Sequence, residues 1–339
     1  MRFGWMLTAL AFLVTSVHAE SLAAQRTDAI LERFQHANQW RDHIMVVAHR
    51  AGVRENGRIV RAENSIAAIE TAIALGAEMV ELDIQKTSDN VYVVLHDSWL
   101  DRTTTCKGRL VERSLADLAS CRLVVEGSGE VTNEVVPTLK QALTAARGRV
   151  LVNIDNKLQT SDLKDIVAVA RELGMEDQIV VKQNLWNRDK VSEAVTLIGD
   201  LGQGARFMPI IADDAVKDVG FIETATKAVA ADAAEMIAWR REAGAVTTDG
   251  GLLFGARARA VAARGDWHLW VNTYAIVNKP AGYLAGGRGD ELATIAANPA
   301  ETFGFWVDRG ATIIQTDEPK AAIEWLTANG YRVPYDLTN

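Results

Sequence analysis

Short runs of apolar and β-branched residues alternate with segments of helical periodicity from residue 44 onward. This alternation is typical of parallel strands joined by crossover helices. Nine runs have the composition of strands, namely 44–49, 78–84, 91–95, 150–155, 178–182, 206–211, 235–239, 267–273 and 311–315. Eight parallel strands would close a TIM (β/α)8 barrel, the α/β fold that we predict.

One of the nine runs, the third at residues 91–95, is not needed for an eight-stranded barrel. Only residues 85–90 separate it from the second run, whereas a parallel crossover needs a dozen residues or more. We therefore predict an antiparallel β-hairpin extension after the second strand, turning at Ser88-Asp89-Asn90. A turn centred there would set His96 opposite Glu81.

Helix boundaries are visible in several crossovers. Residues 66–75 precede Gly76 and residues 139–147 precede Gly148, and glycine commonly ends helices because it adopts left-handed backbone conformations. Thr138 and Gln141 have the spacing of a capping box. The N-terminal segment 20–42 contains an amphipathic stretch, which predicts a helix packed outside the barrel.

Length and composition support one large domain. The 339 residues are 48% hydrophobic and 24% charged, which is ordinary for a globular protein. We assign residues 43–335 to the barrel, with an insertion at about 101–136. A doubly wound open sheet is the alternative, but no G-x-G-x-x-G or Walker loop follows any strand.

Residues 1–19 have the features of a secretory signal peptide. Arg2 is basic, residues 6–14 are apolar, and Val17-His18-Ala19 resembles a cleavage site. An uncleaved anchor is the alternative, although the apolar run is shorter than the ~20 residues that span a bilayer. We expect an exported protein, periplasmic or secreted, with no transmembrane segment in the mature chain.

Charge and cysteine content narrow the function further. Loss of residues 1–19 removes Arg2 and no acidic residue, so the formal charge changes from −8 to −9. Such a charge argues against a nucleic-acid groove or a polybasic lipid anchor. The two cysteines, Cys106 and Cys121, would pair in an oxidising compartment; free thiols are the alternative.

Ionisable residues gather where the predicted strands end. Active sites of TIM barrels lie at the carboxyl ends of the strands. The runs end in or contain His49-Arg50, Glu81-Leu82-Asp83, His96-Asp97, Asp155-Asn156-Lys157 and Thr316-Asp317. One polar rim is therefore expected.

Glu81 and Asp83 point to the same side of their strand, because side chains alternate along a strand. Two carboxylates inside a barrel are costly unless a cation neutralises them, and hard oxygen ligands suit Mg²⁺ or Ca²⁺. A salt-bridged surface pair is the alternative for these two residues. Asp155 with Lys157 could equally be a structural ion pair, and Glu63 could cap the next helix.

The ordered motifs resemble the glycerophosphodiester phosphodiesterase family across residues 44–329. The residues that carry the resemblance are His49-Arg50, Glu63-Asn64-Ser65, Glu81-Leu82-Asp83, Thr87-Ser88-Asp89, His96-Asp97, Leu100-Asp101-Arg102-Thr103-Thr104, Gly108, Pro137-Thr138-Leu139, Asp155 with Lys157, and Thr316-Asp317-Glu318-Pro319. The set in this order is far more specific than any one motif.

The resemblance implies a hydrolase that converts glycerophosphodiesters to glycerol 3-phosphate and an alcohol with one divalent cation, Ca²⁺ or Mg²⁺. By position, the metal ligands would be Glu81, Asp83 and Asp155, with Glu63 as a further candidate. His49 and His96 would be the general acid and base, in an order that the sequence leaves open, and Arg50 and Lys157 would bind phosphate. The nucleophile would be water or a substrate hydroxyl that forms a cyclic phosphate.

Several positions depart from the family pattern. Ala51 replaces a glycine, Asp155 replaces a glutamate, and residues 53–61 form a longer loop. A Cys106–Cys121 disulfide would staple the insertion after His96-Asp97. Trp270 matches a family tryptophan that could either line the pocket or fill the barrel.

Two other functions share these residues. A phospholipase C- or D-like enzyme would use the same site on phospholipid head groups. A non-catalytic barrel would bind a phosphodiester or polyol without hydrolysing it. The oligomeric state is open.

Overall fold

A computed structural model describes residues 26–55, 57–240, 244–275 and 284–335. The predicted signal peptide, residues 1–19, lies outside the described residues, as do positions 20–25 of the N-terminal segment. No helix in these described ranges is both long enough and apolar enough to cross a bilayer.

The described chain contains strands and helices in alternation. The strands are β1 (Met45–Ala48), β2 (Arg54–Glu55), β3 (Arg58–Ile59), β4 (Met79–Lys86), β5 (Tyr92–Val94), β6 (Arg122–Val124), β7 (Val131–Val135), β8 (Leu151–Asn156), β9 (Ile179–Asn184), β10 (Arg206–Ala212), β11 (Ala233–Ile237), β12 (His268–Asn272) and β13 (Ala311–Thr316). The helices are α1 (26–35), α2 (Ile66–Leu75), α3 (Leu115–Leu118), α4 (Leu139–Ala146), α5 (Leu163–Glu172), α6 (Arg188–Leu201), α7 (Val219–Ala228), α8 (Gly251–Phe254), α9 (Ala256–Gly265), α10 (Asp290–Thr294), α11 (Phe303–Asp308) and α12 (Pro319–Ala328).

Eight parallel strands form a closed barrel. Their order around it is β1, β4, β8, β9, β10, β11, β12 and β13, and β1 pairs with both β4 and β13, which closes the sheet. The predicted TIM barrel is confirmed. The predicted strand at 235–239 begins two residues earlier, because the small Ala233 and Ala234 belong to the strand although they lack strand-type composition.

The barrel interior is apolar at the amino ends of the strands and polar at the carboxyl ends. The apolar layer contains Met45, Met79, Leu151, Met208, Trp270 and Ile313, all buried. Toward the carboxyl ends of the barrel strands the inward positions become polar, and they are Glu81, Asn153, Lys182, Glu235, Asn272 and Gln315, also buried. The inward-facing side chains therefore form an apolar layer at the amino ends of the strands and a polar layer at the carboxyl ends, which we call the barrel mouth.

The predicted N-terminal helix is present as α1, and it covers the apolar end of the barrel. Ile30 and Phe34 are almost fully buried and belong to the same cluster as Met45 and Trp270. The apolar face of this amphipathic helix is buried against the open base of the barrel, where it excludes water from the interior residues.

The hairpin extension is confirmed, with its register shifted by one residue. Strands β4 and β5 are antiparallel, and Ile84 pairs with Val94. The Leu95 N–H donates to the Asp83 carbonyl, and an extension of this register past the end of β5 would set His96 opposite Leu82 and not opposite Glu81. A single-residue change reverses the face of every side chain in an antiparallel pair.

The two predicted crossover helices are confirmed. Helix α2 ends at Gly76, whose φ of 93° is left-handed, a conformation that costs glycine little. Helix α4 begins with the expected capping box, in which Thr138 and Gln141 satisfy each other's backbone N–H groups.

A small subdomain follows β5. It contains α3 and the antiparallel pair β6 and β7, and it packs around a separate apolar cluster that includes Leu100, Leu110 and Leu123. Cys106 and Cys121 form a disulfide within it, as predicted. This insertion borders the barrel mouth because it starts directly after His96-Asp97.

Candidate active site

The carboxyl ends of β4 and β8 bring three carboxylates together inside the barrel mouth. Asp83 and Asp155 are register partners on neighbouring strands, and Glu81 lies one inward position below Asp83. One oxygen from each of Glu81, Asp83 and Asp155 can be chosen so that all three lie within 4.8 Å of one another. These residues form a possible acidic metal site.

The environment of Glu81 supports a cation at this position. Glu81 is buried, and among the described residues its Oε1 has no hydrogen-bond partner. Burial and, after it, the charge of Asp83 raise the pKa of Glu81 well above the ordinary glutamate value. A divalent cation would satisfy the free oxygen and remove this electrostatic cost.

Lys157 lies against the same carboxylates. Its Nζ is 2.7 Å from Asp155 Oδ2 and 3.0 Å from Asp83 Oδ1. Burial opposes a charged lysine, but the charges of Asp83 and Asp155 outweigh it and raise the pKa of Lys157. The predicted Asp155 and Lys157 pair therefore exists as an ion pair at the site.

Asn64 orients the second carboxylate. Its Nδ2 donates to Asp83 Oδ2 at 2.7 Å, while its Oδ1 accepts from the Asp83 backbone N–H at 3.1 Å. Asn64 has a φ of 57°, a left-handed conformation that asparagine tolerates better than most residues. The Glu63-Asn64-Ser65 motif thus positions Asp83 through its middle residue.

Glu63 is not part of the cluster of Glu81, Asp83 and Asp155, and its role as a further metal ligand stays a prediction. Two guanidinium groups bind it: Arg50 Nη1 lies 3.1 Å from Oε2, and Arg102 makes bonds of 2.6 and 3.0 Å. Burial would raise the pKa of Glu63, but Arg102 and Arg50 lower it overall. A carboxylate saturated by two arginines has little capacity left for a cation.

His49 lies in a tight turn directly after β1. The turn requires left-handed conformations at Arg50 and Ala51, with φ of 54° and 51°, so alanine stands where glycine would be unstrained. The Nδ1 atom of His49 is 2.8 Å from Asp317 Oδ1, and its Nε2 is 4.0 Å from Glu81 Oε2. Burial and the charge of Arg50 lower the pKa of His49 well below its ordinary value.

Arg50, the residue after His49, also faces the carboxylate cluster. Its backbone N–H donates to Glu81 Oε2 at 2.8 Å, and its Nε lies 3.7 Å from Asp83 Oδ2. The turn after β1 therefore places a histidine ring and a guanidinium group on the same side of the cluster.

His96 lies at the rim, less buried than His49. Its Nδ1 is 2.6 Å from Asp97 Oδ1, and Arg102 in turn binds Asp97 at 2.8 Å. Burial would raise the pKa of Asp97, but His96 and Arg102 lower it. In the described residues the His96 ring is not within ion-pair distance of Glu81, which agrees with the shifted hairpin register.

Trp270 fills the barrel and does not line the pocket. It is fully buried beside Met45 and Ile313 in the apolar layer, and its Nε1 donates to Asn272 Oδ1 at 2.9 Å. Of the two alternatives for this residue, the structure therefore supports the packing one.

A cavity of about 220 Å³ opens beside His49 and Arg50. The short antiparallel pair of β2 and β3, formed by the long loop 53–61, supplies one wall with Arg54 and Arg61. Glu63 and Asp317 also line it. The loop insertion thus reshapes the rim next to the site.

Sequence reasoning missed several residues of the site. They are Arg102, Lys182, Glu235, Asn272, Tyr274 and Asp317. Arg102 and Asp317 belong to recognised motifs, and Lys182, Glu235 and Asn272 lie in predicted strands, so their inward parity was the available signal. Tyr274 follows a strand and offered no such pattern.

Comparison with known proteins adds the family. A model of the glycerophosphoryl diester phosphodiesterase family matches residues 49–238, more than half of the chain. The chain belongs to this family. A second model, for a domain of unknown function, matches residues 207–326.

Sequence relatives within the glycerophosphoryl diester phosphodiesterase family match only part of this chain. The mouse protein called glycerophosphodiester phosphodiesterase 1 is 42% identical over 110 residues, which are 31% of this chain and 30% of the mouse protein. Less than a third of that relative is therefore covered.

Solved structures match over most of the length. A glycerophosphoryl diester phosphodiesterase from Parabacteroides distasonis has a TM-score of 0.63 at 18% identity, covering 89% of this chain and 92% of that one. An Oleispira antarctica phosphodiesterase, solved with the product sn-glycerol 3-phosphate, has a TM-score of 0.52 at 16% identity, covering 84% and 96%. These likenesses show a shared fold.

Proposed function

We propose that this protein is a metal-dependent glycerophosphodiester phosphodiesterase, which hydrolyses glycerophosphodiesters to glycerol 3-phosphate and an alcohol. The observation that carries the proposal is the buried group of Glu81, Asp83 and Asp155 beside His49 and Arg50. The family supports the reaction class, and the product held by the Oleispira antarctica enzyme supports the substrate class.

The three carboxylates would hold one divalent cation, Mg²⁺ or Ca²⁺, since both prefer oxygen ligands. When bound, the cation would supply Lewis-acid stabilisation of charge on the phosphoryl oxygens. Asn64 holds Asp83 in position, and Lys157 offsets the remaining negative charge of Asp83 and Asp155.

His49 is the general base in this proposal. A buried imidazole with a lowered pKa is neutral at pH 7, and the Asp317 carboxylate accepts its Nδ1 hydrogen. The lone pair is then on Nε2, the nitrogen that points toward Glu81. Nε2 takes the proton of the attacking hydroxyl as the new phosphorus–oxygen bond forms. If that hydroxyl is water, glycerol 3-phosphate forms directly; if it belongs to the substrate, a cyclic phosphate forms and water then opens it to glycerol 3-phosphate.

His96 is the general acid. Asp97 accepts its Nδ1 hydrogen, and Arg102 holds Asp97 in place. A proton on His96 Nε2 goes to the leaving alkoxide oxygen as its bond to phosphorus breaks, so that the alcohol departs neutral. The more exposed position of His96 suits a group that meets an alcohol at the pocket rim.

Arg50 would bind a nonbridging phosphate oxygen. Its guanidinium already contacts Glu63, which limits its rotamers and keeps it pointed at the site. A preoriented cation stabilises the developing charge without reorganisation during the reaction.

We also propose that the protein acts outside the cytoplasm. The disulfide between Cys106 and Cys121 supports this, because disulfides persist mainly in oxidising compartments. Fractionation of cells that express the full chain, followed by N-terminal sequencing of the exported form, tests both export and cleavage after Ala19. Recovery of an intact N-terminus in the cytoplasm would contradict the proposal.

The activity test uses glycerophosphocholine and glycerophosphoethanolamine as substrates and measures released glycerol 3-phosphate. The protein is first stripped with a chelator and then given Mg²⁺ or Ca²⁺. We expect release that stops with the chelator and returns with one or both ions. No release with either ion, together with release of head groups from phospholipid vesicles, would favour the phospholipase-like alternative.

A further inference from the structure

Lys182 is a buried cation of the barrel mouth that the mechanism above does not use. It lies on β9, one position after Val181, which is the register partner of Ile154 on β8. Asp155 follows Ile154, so Lys182 and Asp155 are neighbours across two strands. The side chain of Lys182 is only 5% exposed, a burial that an unpaired ammonium group would not tolerate.

The ion-pair partner of Lys182 is Glu235, which is itself held by Asn272. The Lys182 Nζ is 3.1 Å from Glu235 Oε2, and Asn272 Nδ2 donates to the other oxygen, Oε1, at 2.7 Å. Asn272 is itself held by Trp270 Nε1. The ammonium group therefore has a fixed position, set by residues from β9, β11 and β12.

The same chain of contacts reaches His49. Asn272 Nδ2 lies 3.2 Å from the Tyr274 hydroxyl, and the Tyr274 ring stacks on the His49 ring with centroids 3.6 Å apart and planes 10° apart. Lys182 is thus built into the framework that holds the proposed base. An ion pair that served only to fill the barrel would not need this connection.

The donor capacity of Lys182 is only partly used. An ammonium group has three hydrogens to donate, and among the described residues the one hydrogen bond of Lys182 goes to Glu235. Lys157, in contrast, already lies against two of the proposed metal ligands. Lys182 is therefore the better placed lysine to accept a new anionic partner.

We propose that Lys182 binds a nonbridging oxygen of the substrate phosphate, from the side of the carboxylate cluster away from Arg50. Arg50 follows β1, the cluster lies on β4 and β8, and Lys182 is on β9, so the two cations flank the phosphate position. This inference rests on the proposed function and adds a substrate-binding residue to it. Asn272 and Tyr274 are positioning residues, and Glu235 is the carboxylate with which the phosphate oxygen would compete for Lys182.

The test is binding of sn-glycerol 3-phosphate, and separately of inorganic phosphate, measured by calorimetry with Mg²⁺ present. The main variant is the pair Lys182→Met with Glu235→Gln, which removes the ion pair without changing net charge or side-chain size much. We expect binding about 10 to 100 times weaker, the range for a lost charge-assisted hydrogen bond. Mg²⁺ affinity and Tm should stay near wild type.

Single variants separate binding from packing. Glu235→Gln keeps the ammonium group and removes its competing carboxylate, so phosphate affinity should be retained or increase. Lys182→Arg keeps the charge and should retain part of the affinity. Lys140→Met, which removes an exposed lysine paired with Glu172, is the matched control and should bind as the wild type does.

Three results would overturn the inference: wild-type affinity in the double variant, equal loss of affinity in Glu235→Gln, or no binding of either anion by the wild type. Turnover of glycerophosphocholine is measured on the same samples. Phosphate binding that depends on Lys182 without any turnover would reject the proposed function and leave this inference standing. Turnover by the wild type, together with unchanged phosphate binding in the double variant, would support the proposed function and reject the role of Lys182.

Discussion

At the scale of single residues, the state of His49 depends on Asp317. The carboxylate accepts the Nδ1 hydrogen at 2.8 Å, which decides that Nε2 carries the lone pair. Burial raises the pKa of Asp317 to about 6, and the carboxylate is therefore ionised at neutral pH. A histidine ring without this acceptor could present the wrong nitrogen to the nucleophile.

Asp317→Asn is expected to lower kcat by about 10² to 10⁴ while leaving KM nearly unchanged, because orientation of the base matters most in the transition state. Steady-state kinetics with glycerophosphocholine measure both constants. Asp308→Asn, an exposed substitution on α11, is the control and should leave them as they are. A rise in KM with an unchanged kcat would show that Asp317 acts on substrate binding instead.

Glu81→Gln is expected to weaken divalent cation binding strongly, since the variant keeps the side-chain shape but loses one of three clustered charges. Calorimetric titration of the chelator-treated protein with Mg²⁺ and with Ca²⁺ measures this directly. Equal affinity in the variant and wild type would show that the cation does not bind at this cluster.

At the scale of elements, strand parity carried most of the predictable information. The i and i+2 spacing of Glu81 and Asp83 correctly indicated two carboxylates on one face of β4. Strand parity did not predict the pairing between strands. The register of the β4 and β5 hairpin differs by one residue from the prediction, so His96 is not opposite Glu81. Turn geometry sets that offset, and the residues of the turn allow more than one.

Also at the scale of elements, the Cys106–Cys121 disulfide is expected to stabilise the insertion after β5. The bridge joins residues 15 positions apart, and closing such a loop in the unfolded chain contributes about 3 kcal/mol in the chain-entropy model. A Cys106→Ser/Cys121→Ser double variant should therefore melt at a lower temperature than the oxidised wild type.

Reducing agent provides the control for that prediction. It should lower the Tm of the wild type toward that of the double variant and leave the double variant unchanged. A wild type whose Tm is insensitive to complete reduction would show that the insertion is held by its apolar cluster of Leu100, Leu110 and Leu123, without help from the bridge.

At the scale of the whole molecule, one buried carboxylate connects α1 and the residues that follow α12 to the barrel. Glu78 accepts bonds from Arg332 at 2.7 and 3.0 Å, from the Val46 N–H at 2.9 Å, and lies 3.2 Å from His43 Nε2. Arg33 of α1 contacts the same histidine. The N-terminal helix and the residues after α12 therefore meet at a single charged centre below the barrel.

The pH dependence of stability should report on this centre. Burial would raise the pKa of Glu78, but Arg332 and His43 outweigh it and lower the pKa from 4.5 to about 2. A depressed folded-state pKa contributes stability above the unfolded value, and this contribution is lost as pH falls from about 4.5 to about 2. The shift corresponds to about 3 kcal/mol.

Glu78→Gln should accordingly unfold more easily than wild type in denaturant titrations at pH 7, and the difference should shrink below pH 4.5. Glu172→Gln, which alters an exposed ion pair with Lys140, is the matched control and should change stability little. A difference that stays constant from pH 7 to pH 2 would mean that packing, and not charge, makes Glu78 important.

The sequence by itself determined the fold class, the hairpin, the helix ends and the group of residues at the strand ends. These features depend on periodicity and local chemistry, which are readable along the chain. Strand ends of a parallel barrel meet at one rim, which indicated a shared polar rim, and the resemblance to the family added Asp155 to Glu81 and Asp83 as expected metal ligands.

Only the tertiary structure decided which of these residues touch. Glu63 is bound by Arg50 and Arg102, Trp270 lies in the apolar layer, and α1 covers the base of the barrel. The pairing of Lys182 with Glu235 joins β9 and β11 across the intervening β10. Such contacts depend on strand register, barrel closure and side-chain rotamers, which involve positions distant in sequence and leave no local pattern.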